Sequence, residues 1–222
     1  MPLFTLRRSF DPPLRGEKIE LTMATIISGA TWYPNVEWER SYGIDHGTRQ
    51  ETVCVYRGPT KSEVARHSSY CGVPIDAIYE VEEFRPGSEM GILSRDISAF
   101  NTPPAEDDRY FVVERTFDQA MTEAEVGAAW MRSGQCAAEI PRLYWVRSYW
   151  SEADRKGWCV FRAPDAELVA KHSARTIIPC DWIEEAAENH PRDWARIYDS
   201  FNLPHHWERE GELAAVPAGV AQ

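Results

Sequence analysis

The 222-residue chain lacks a long apolar segment and a regular cysteine framework. Its longest apolar runs, such as Met23–Ile27, are far shorter than the ~20 residues that span a bilayer, so we expect no membrane partner. No basic segment followed by an apolar stretch opens the chain, so we expect no secretory signal. The five cysteines have no CxxC spacing, which favours reduced thiols and a cytoplasmic protein.

Positive charge is also scarce, since 24 Lys and Arg face 35 Asp and Glu and the net charge is −11. A surface this acidic repels phosphate backbones, which argues against a nucleic-acid partner. The sequence has no glycine-rich phosphate loop, nucleophile elbow or dinucleotide fingerprint, so we expect no nucleotide cofactor. Hydrophobic residues make up 43% of the chain and include nine Trp, which is ample material for a globular core.

The chain repeats itself. Residues 54–68, CVYRGPTKSEVARHS, align with residues 159–173, CVFRAPDAELVAKHS, and eight of the fifteen positions are identical. Residues 36–42 and 143–149 share Trp, Arg, Ser and Tyr, and residues 4–11 and 74–78 have counterparts at 111–118 and 179–183. The order of the four blocks is the same in both halves. The sequence therefore predicts a duplicated domain.

Each copy has the pattern expected for the order β-α-β-β-α-β. The first strands alternate apolar and polar residues, Thr122–Glu125 has a helix-start signature, and Pro59 and Pro164 end the third strands. This order is the split-βαβ, ferredoxin-like pattern. We therefore predict an α+β fold of two tandem ferredoxin-like (βαββαβ) domains packed as a pseudo-dimer, since a bare sheet face must be buried.

The predicted domains are a first repeat over 1–84, a linker over 85–108 and a second repeat over 109–189. A C-terminal extension and tail follow over 190–222. Trp194, Ile197, Tyr198 and Phe201 have helical spacing and should pack back on the body, and the last ten residues have the composition of a disordered tail.

Two histidines stand at the same place in both copies, His67 and His172, each in the second helix after Val-Ala. One interpretation is a helix-packing histidine satisfied by a backbone carbonyl. The other is a metal-binding or acid–base role, because imidazole suits both near neutral pH. The pair His205–His206 is predicted to be solvated at the surface, with weak metal contact as its alternative.

Other repeated residues have both a structural and a functional interpretation. Tyr42 and Tyr149 are core aromatics or phenols aimed at a ligand, and Cys54 and Cys159 are small buried hydrophobes or thiolate ligands. Arg8 and Arg115 lie on first strands, where a charge must be paired or face an opening. The sequence gives as ligand-binding candidates Tyr42, Trp145, Cys159 and Arg8, and as catalytic candidates, if the protein is an enzyme, His172, Tyr149 and Arg115.

The repeated motifs Trp-x-x-Ser-Tyr, Cys-Val-Tyr/Phe-x-x-Pro, Val-Ala-x-His and Pro-x-Asp-x-Ile together resemble the domain of unknown function 4242 family, the small nickel-responsive ferredoxin-like proteins. The resemblance covers roughly 3–84 and 110–188. It implies a ferredoxin-like fold, paired as a homodimer in the family, so that this chain would be a fused pair. It also implies binding of nickel or another divalent transition metal. The family's first-strand motif survives best as Val113-Glu114-Arg115, and His67 and His172 match its helix histidine.

Three functions remain open. The first is binding of a divalent metal, nickel-like, or of a small ligand at the repeated histidine, with His67, His172 and Glu114 as metal ligands. The second is a cofactor-independent isomerase, cyclase or hydrolase that uses His, Tyr and Arg in an aromatic cleft. The third is a structural or regulatory pseudo-dimer. Since Glu114 has no carboxylate counterpart in the first copy, we hypothesise that the second copy is the working site. Homo-oligomerisation beyond the internal pair stays open.

Overall fold

A computed structural model describes residues 1–85 and 104–207. The order β-α-β-β-α-β occurs twice and is followed by a short helical segment. The first set is β1 (Leu3–Phe10), α1 (Glu17–Gly29), β2 (Glu37–Asp45), β3 (Gln50–Arg57), α2 (Lys61–Tyr70) and β4 (Ala77–Phe84). The second is β5 (Arg109–Thr116), α3 (Glu123–Glu139), β6 (Tyr144–Ser151), β7 (Lys156–Ala163), α4 (Ala166–Thr176) and β8 (Trp182–Asn189). A 3-10 helix (Pro191–Trp194) and α5 (Ala195–Ser200) complete the described chain.

The predicted α+β class is confirmed, because the helices lie against antiparallel strand pairs. The chain forms two compact units. Unit 1 contains residues 1–41, 47–78 and the described residues from Asn189 onward; unit 2 contains 42–46 and the described residues of Tyr79–Glu188. Within unit 1, β3 lies between β1 and β2. Within unit 2, the strand order is β8-β5-β7-β6-β4.

The units do not coincide with the two sequence repeats, because β4 comes from the first repeat and pairs with β6 of the second. Glu82 lies opposite Trp150, and Phe84 lies opposite Ser148, in an antiparallel register. The predicted domain limits follow the repeat and stay a prediction. Most of the predicted linker, residues 86–103, lies outside the described residues, as do residues 208–222 of the predicted tail.

Side chains at the helix starts explain why the helices begin where they do. The Thr122 side chain accepts a hydrogen bond from the Glu125 backbone N–H, and the Glu125 carboxylate accepts one from the Thr122 backbone N–H, which is the predicted capping box. Thr60 caps α2, and Asp165 caps α4 by accepting from the Leu168 N–H at 3.0 Å. Each cap satisfies a backbone donor that the first turn leaves unpaired.

Each unit has its own apolar core. The core of unit 1 includes residues of β1, β2, β3 and α2, namely Phe4, Leu6, Trp38, Tyr56 and Val64. The core of unit 2 is richer in aromatic rings and includes Phe111, Trp130, Trp145 and Phe161. Across residues 1–85 and 104–207, every helix is too short or too polar to span a bilayer.

The C-terminal segment packs on unit 1 as the helical spacing predicts, with one exception. Tyr198 is buried together with Ile27, and Trp194 and Ile197 pack against this cluster. The prediction for Phe201 is wrong, since 41% of its surface is exposed. Phe201 follows the last residue of α5, so its side chain is no longer held on the helix face that meets Ile27.

Candidate functional site

The repeated histidines join the two helices of each copy. The His67 ring places Nε2 at 3.1 Å from the Ile26 carbonyl oxygen at the end of α1. The His172 ring places Nε2 at 2.9 Å from the Ser133 carbonyl oxygen in α3. A carbonyl oxygen only accepts, so Nε2 carries the proton and donates in both rings. These contacts match the packing interpretation of the two histidines.

Both imidazoles are neutral at pH 7. Burial lowers the pKa of His67 to about 4. The hydrogen bond to the Ile26 carbonyl acts in the opposite direction, whereas the positive charge of Arg8 lowers the pKa further. Burial also lowers the pKa of His172 to about 4, with the charges of Arg115 and Arg175 acting in the same direction. Because Nε2 carries the only proton, Nδ1 holds a lone pair. Among the described residues, Nδ1 of each ring is buried without a hydrogen-bond partner.

A glycine lets the first helix pair approach this closely. A Cβ at Gly29 would lie 2.6 Å from the Cys71 sulfur and 2.8 Å from His67 Nε2, which is closer than packed atoms tolerate. At the aligned positions the second copy has Cys136 and Thr176 instead. The cysteine therefore lies on the other side of the helix pair in the second copy, and in both copies the histidine Nε2 still donates to its carbonyl.

Arg8 and Arg115 are buried, and each guanidinium donates to a backbone carbonyl and to a serine hydroxyl at once. We call each of these sets of hydrogen bonds an arginine clamp. Arg115 donates to the Pro179 carbonyl at 2.6 Å, to Ser173 Oγ at 3.2 Å and to the Cys159 sulfur at 3.1 Å. Arg8 makes the equivalent bonds to the Pro74 carbonyl at 2.7 Å and to Ser68 Oγ at 2.9 Å. Within residues 1–85 and 104–207, neither guanidinium has an ion pair with a carboxylate. Burial disfavours the Arg8 charge, but Tyr56 and Cys54 outweigh it and raise its pKa.

The aromatic candidates lie in the interior of their units. Trp145 packs in the core of unit 2 and donates from Nε1 to Ser148 Oγ at 3.0 Å, which explains the spacing of Trp and Ser in the repeated motif. Tyr42 and Tyr149 have no exposed surface. Burial disfavours the charge of nearby Arg147, but Tyr149, Tyr42 and Glu83 together raise the pKa of this arginine.

Glu114 is a buried carboxylate with neighbours other than histidine. It accepts from Lys156 Nζ at 2.8 Å and from Trp158 Nε1 at 3.0 Å. The described parts of the chain contain no group of three or more His, Cys, Asp or Glu side chains that could hold a metal ion. The proposed metal ligands His67, His172 and Glu114 are therefore not gathered into such a set.

Sequence reasoning missed a cavity in unit 1. It is a partly open cavity of about 130 Å³ where α1, the start of β2 and the C-terminal segment meet His67. The lining is mainly apolar, with four polar side chains, and consists of Ile26, Ile27, Ala30, Pro34, Val36, Glu37, Trp38, His67, Tyr198, Leu203, Pro204 and His206. This cavity adjoins the first copy, whereas the sequence hypothesis put the working site in the second.

The prediction of a solvated pair is wrong for His206. Its exposed fraction is only 8%, and its Nε2 donates to the Trp38 carbonyl at 2.8 Å. His205 is more exposed and contacts Asp199 at 2.9 Å. The helical spacing of Trp194 and Tyr198 directly before the histidine pair indicates a segment folded onto the body, but it does not reveal the cavity beneath that segment.

Comparison with known proteins links the second copy to a family. Residues 111–185 match the family described as nickel responsive protein SCO4226-like. The matched segment begins within β5 and ends within β8. This supports the nickel-responsive part of the resemblance for that half of the chain. None of the curated proteins matches the chain.

Solved structures of chlorite dismutase from Candidatus Nitrospira defluvii share the fold. One variant of that enzyme is 13% identical with a TM-score of 0.54, and the match covers 90% of this chain and 95% of the other. The complex with imidazole is 12% identical with a TM-score of 0.55 and covers 90% and 94%. At this identity the likeness shows the fold alone.

Proposed function

We propose that this protein binds a small, mainly apolar molecule in the cavity beside His67. The observation that carries the proposal is a partly open, mainly apolar cavity next to a neutral, buried imidazole. A cavity of ~150 Å³ lined by aliphatic and aromatic side chains holds a benzene-sized ligand. The cavity of about 130 Å³ therefore suits a molecule with one ring.

Two further features support binding over simple packing. The C-terminal segment contributes Tyr198, Leu203 and Pro204 to one wall, so ligand and segment can stabilise one another. His67 also belongs to the lining, and because burial lowers its pKa to about 4, this imidazole is neutral at pH 7 and is not an acid. The site therefore suits recognition better than proton donation.

Thermal unfolding with toluene tests the proposal. We expect toluene to raise the Tm of the wild-type protein and not that of Ala30→Leu, whose larger side chain fills the cavity. Ala166→Leu, on the exposed first turn of α4, is the matched control and should keep the shift. No shift in the wild type, or an equal shift in Ala30→Leu, would refute binding in this cavity.

Nickel binding is a second candidate, favoured by the family match of residues 111–185. The predicted ligands are not gathered into one set within the described residues, and Glu114 contacts Lys156. Metal analysis of untagged protein, with nickel-induced Tm shifts for wild type and His67→Ala/His172→Ala, tests it. A near-stoichiometric metal lost in the double variant would establish the site, and a metal-free protein without a shift would remove it.

The two sequence repeats and the catalytic candidates support two further proposals. Matched clamps, Arg8 with Ser68 and Arg115 with Ser173, support a fused pair of domains descended from one ancestor. For catalysis, Arg115 is close enough to influence His172, while Tyr149 lies beside Arg147. Loss of a turnover in His172→Ala with the fold intact would support an enzymatic role.

A further inference from the structure

A second cavity lies in unit 2, at the point where β5 passes into α3. It is an open groove of about 460 Å³, which is within the size range of small-molecule sites. We propose that this groove binds a small dipolar molecule, with its ammonium end facing Asp118 and Glu125, its carboxylate end facing Arg132 and its hydrocarbon part on the apolar lining. An ω-amino acid is a molecule of this class. The groove lies in a different unit from the His67 cavity, so the site is independent of the proposed function.

The walls of the groove are held in place at both ends. The loop from β5 to α3 is anchored by Arg155, whose backbone carbonyl accepts from the Phe117 N–H at 2.9 Å and whose guanidinium donates to the Asp118 carbonyl at 2.6 Å. Phe117 also meets Trp150 edge-on, with 5.0 Å between the ring centroids. At the other end, the capping box of Thr122 fixes the first turn of α3. A ligand therefore meets a lining that needs little ordering when it binds.

The charged side chains of the groove are exposed and available to a ligand. Within residues 1–85 and 104–207, the side chains of Asp118 and Arg132 have no hydrogen bond or ion pair. Glu125 uses only Oε2 in its bonds to Thr122, so its Oε1 has no protein partner in the same ranges. The hydrogen bonds from Thr122 hold the pKa of Glu125 below its usual range, so this carboxylate is ionised at pH 7.

The opposite charges are separated along α3. Glu125 and Arg132 are seven residues apart on one helix face, about 10 Å along the axis, and the structure describes both side chains without an ion pair between them. Ala128 lies on the same face between them, and Phe117 and Met121 line the groove while they pack on the unit 2 core. A short hydrocarbon chain can therefore join the two charged ends and stay in contact with apolar surface.

The aligned positions of α1 in the first copy hold different residues. Glu125, Ala128 and Arg132 correspond to Lys18, Leu21 and Thr25. The arrangement of charges in the groove is therefore not a requirement of the shared fold. The larger Leu21 stands where Ala128 lines the groove, so Ala128→Leu fills the groove with the residue of the equivalent helix position.

Calorimetric titration at pH 7 with probes of similar length tests this site: ε-aminocaproate, hexylamine and hexanoate. One exposed charge contact changes affinity by up to about 5-fold, so we expect ε-aminocaproate to bind about 5-fold more tightly than hexylamine. Hexanoate lacks the ammonium and faces two carboxylates, so it should bind about 10-fold or more weakly than ε-aminocaproate.

Variants separate the two charged ends. Arg132→Gln should bring ε-aminocaproate down to the affinity of hexylamine and leave hexylamine unchanged. Asp118→Asn should weaken ε-aminocaproate and hexylamine alike, by about 5-fold. Ala128→Leu should weaken all the probes. Arg66→Gln and Ala170→Leu, at exposed positions of α2 and α4, are the matched controls and should change nothing.

The results also distinguish this groove from the cavity beside His67. Equal affinities of ε-aminocaproate and hexylamine, or no loss in Arg132→Gln, would overturn the recognition of a dipolar molecule. No binding at millimolar concentrations, or full binding in Ala128→Leu, would overturn the groove as a site. Ala30→Leu, which fills the unit 1 cavity, should leave ε-aminocaproate binding intact, and a loss there would place the probe beside His67 instead.

Discussion

Replacing His172 by glutamine should reduce the loss of unfolding free energy that occurs as the pH falls below neutral. In the folded protein His172 has a pKa of about 4, because burial disfavours its charge, whereas an unfolded histidine titrates near 6.5. As the pH falls from 6.5 towards 4, the unfolded chain therefore takes up a proton that the folded state does not. This part of the stability is fully present above pH 6.5 and is lost across that window.

The expected magnitude follows from the two pKa values. The full difference corresponds to about 3 kcal/mol, of which about 2 kcal/mol is lost between pH 7 and pH 5. His67 should contribute a similar loss in unit 1. A glutamine amide can still donate to the Ser133 carbonyl but does not titrate, so His172→Gln keeps the helix contact and removes the pH-dependent part.

Urea unfolding followed by tryptophan fluorescence at pH 7, 6 and 5 measures this effect. The free energy of unfolding of the wild type should fall more steeply than that of His172→Gln, by about 2 kcal/mol over the range. His46→Gln, at an exposed position, is the control for the same change elsewhere. Parallel curves for wild type and His172→Gln would mean that His172 is not a neutral, buried donor, and the description of the α3–α4 pair would be wrong.

Three further outcomes can be checked by urea unfolding. Arg115→Lys should lose about 3 kcal/mol, because an ammonium cannot reach the Pro179 carbonyl and Ser173 together; an unchanged midpoint would contradict the clamp. Glu114→Gln should cost about 2 kcal/mol, since it leaves the Lys156 ammonium without its carboxylate partner and with only the Thr116 hydroxyl to accept its hydrogen bond, and the cost should shrink in Glu114→Gln/Lys156→Met. Gly29→Ala should cost about 1–3 kcal/mol and recover partly when combined with Cys71→Ala, whereas additive effects would exclude the close contact.

The elements of the fold were predictable because their signals are local. Thr122 and Glu125 lie three residues apart and form a capping box wherever a helix starts, and the alternation in the first strands needs only neighbouring residues. Repetition reinforced each signal, since the same pattern occurs in both halves in the same order. The order of strands and helices could therefore be predicted throughout the described residues.

The contacts of the repeated histidines could not be predicted from the sequence, for a physical reason. His67 contacts the carbonyl of Ile26, and His172 contacts that of Ser133. Because each acceptor is a backbone atom, the residue that supplies it can have a different side chain in each copy. Such a contact leaves no matching residue type to detect. Both interpretations of the histidine stayed open until the helix pairing was known.

The cavity was equally hidden, because it depends on contacts between distant parts of the chain. His206 bonds to the carbonyl of Trp38, 168 residues away. Helical spacing predicted that Tyr198 packs on the body but not on which part. A space left between such elements is a property of their packing and has no sequence pattern of its own.

The pairing of β4 with β6 has a consequence for cutting the protein into pieces. A fragment that begins at residue 104 would contain the whole second repeat but would lack Glu82–Phe84, which cover the outer edge of β6. The backbone N–H and C=O groups of Ser148–Trp150 that face β4 would then be unpaired and could pair with a strand of another molecule, and Trp150 would lie at that edge. Such a fragment should self-associate or precipitate, whereas one extended at its N-terminus to include β4 should stay dispersed. The sequence repeat is thus a poor guide to where this protein can be divided.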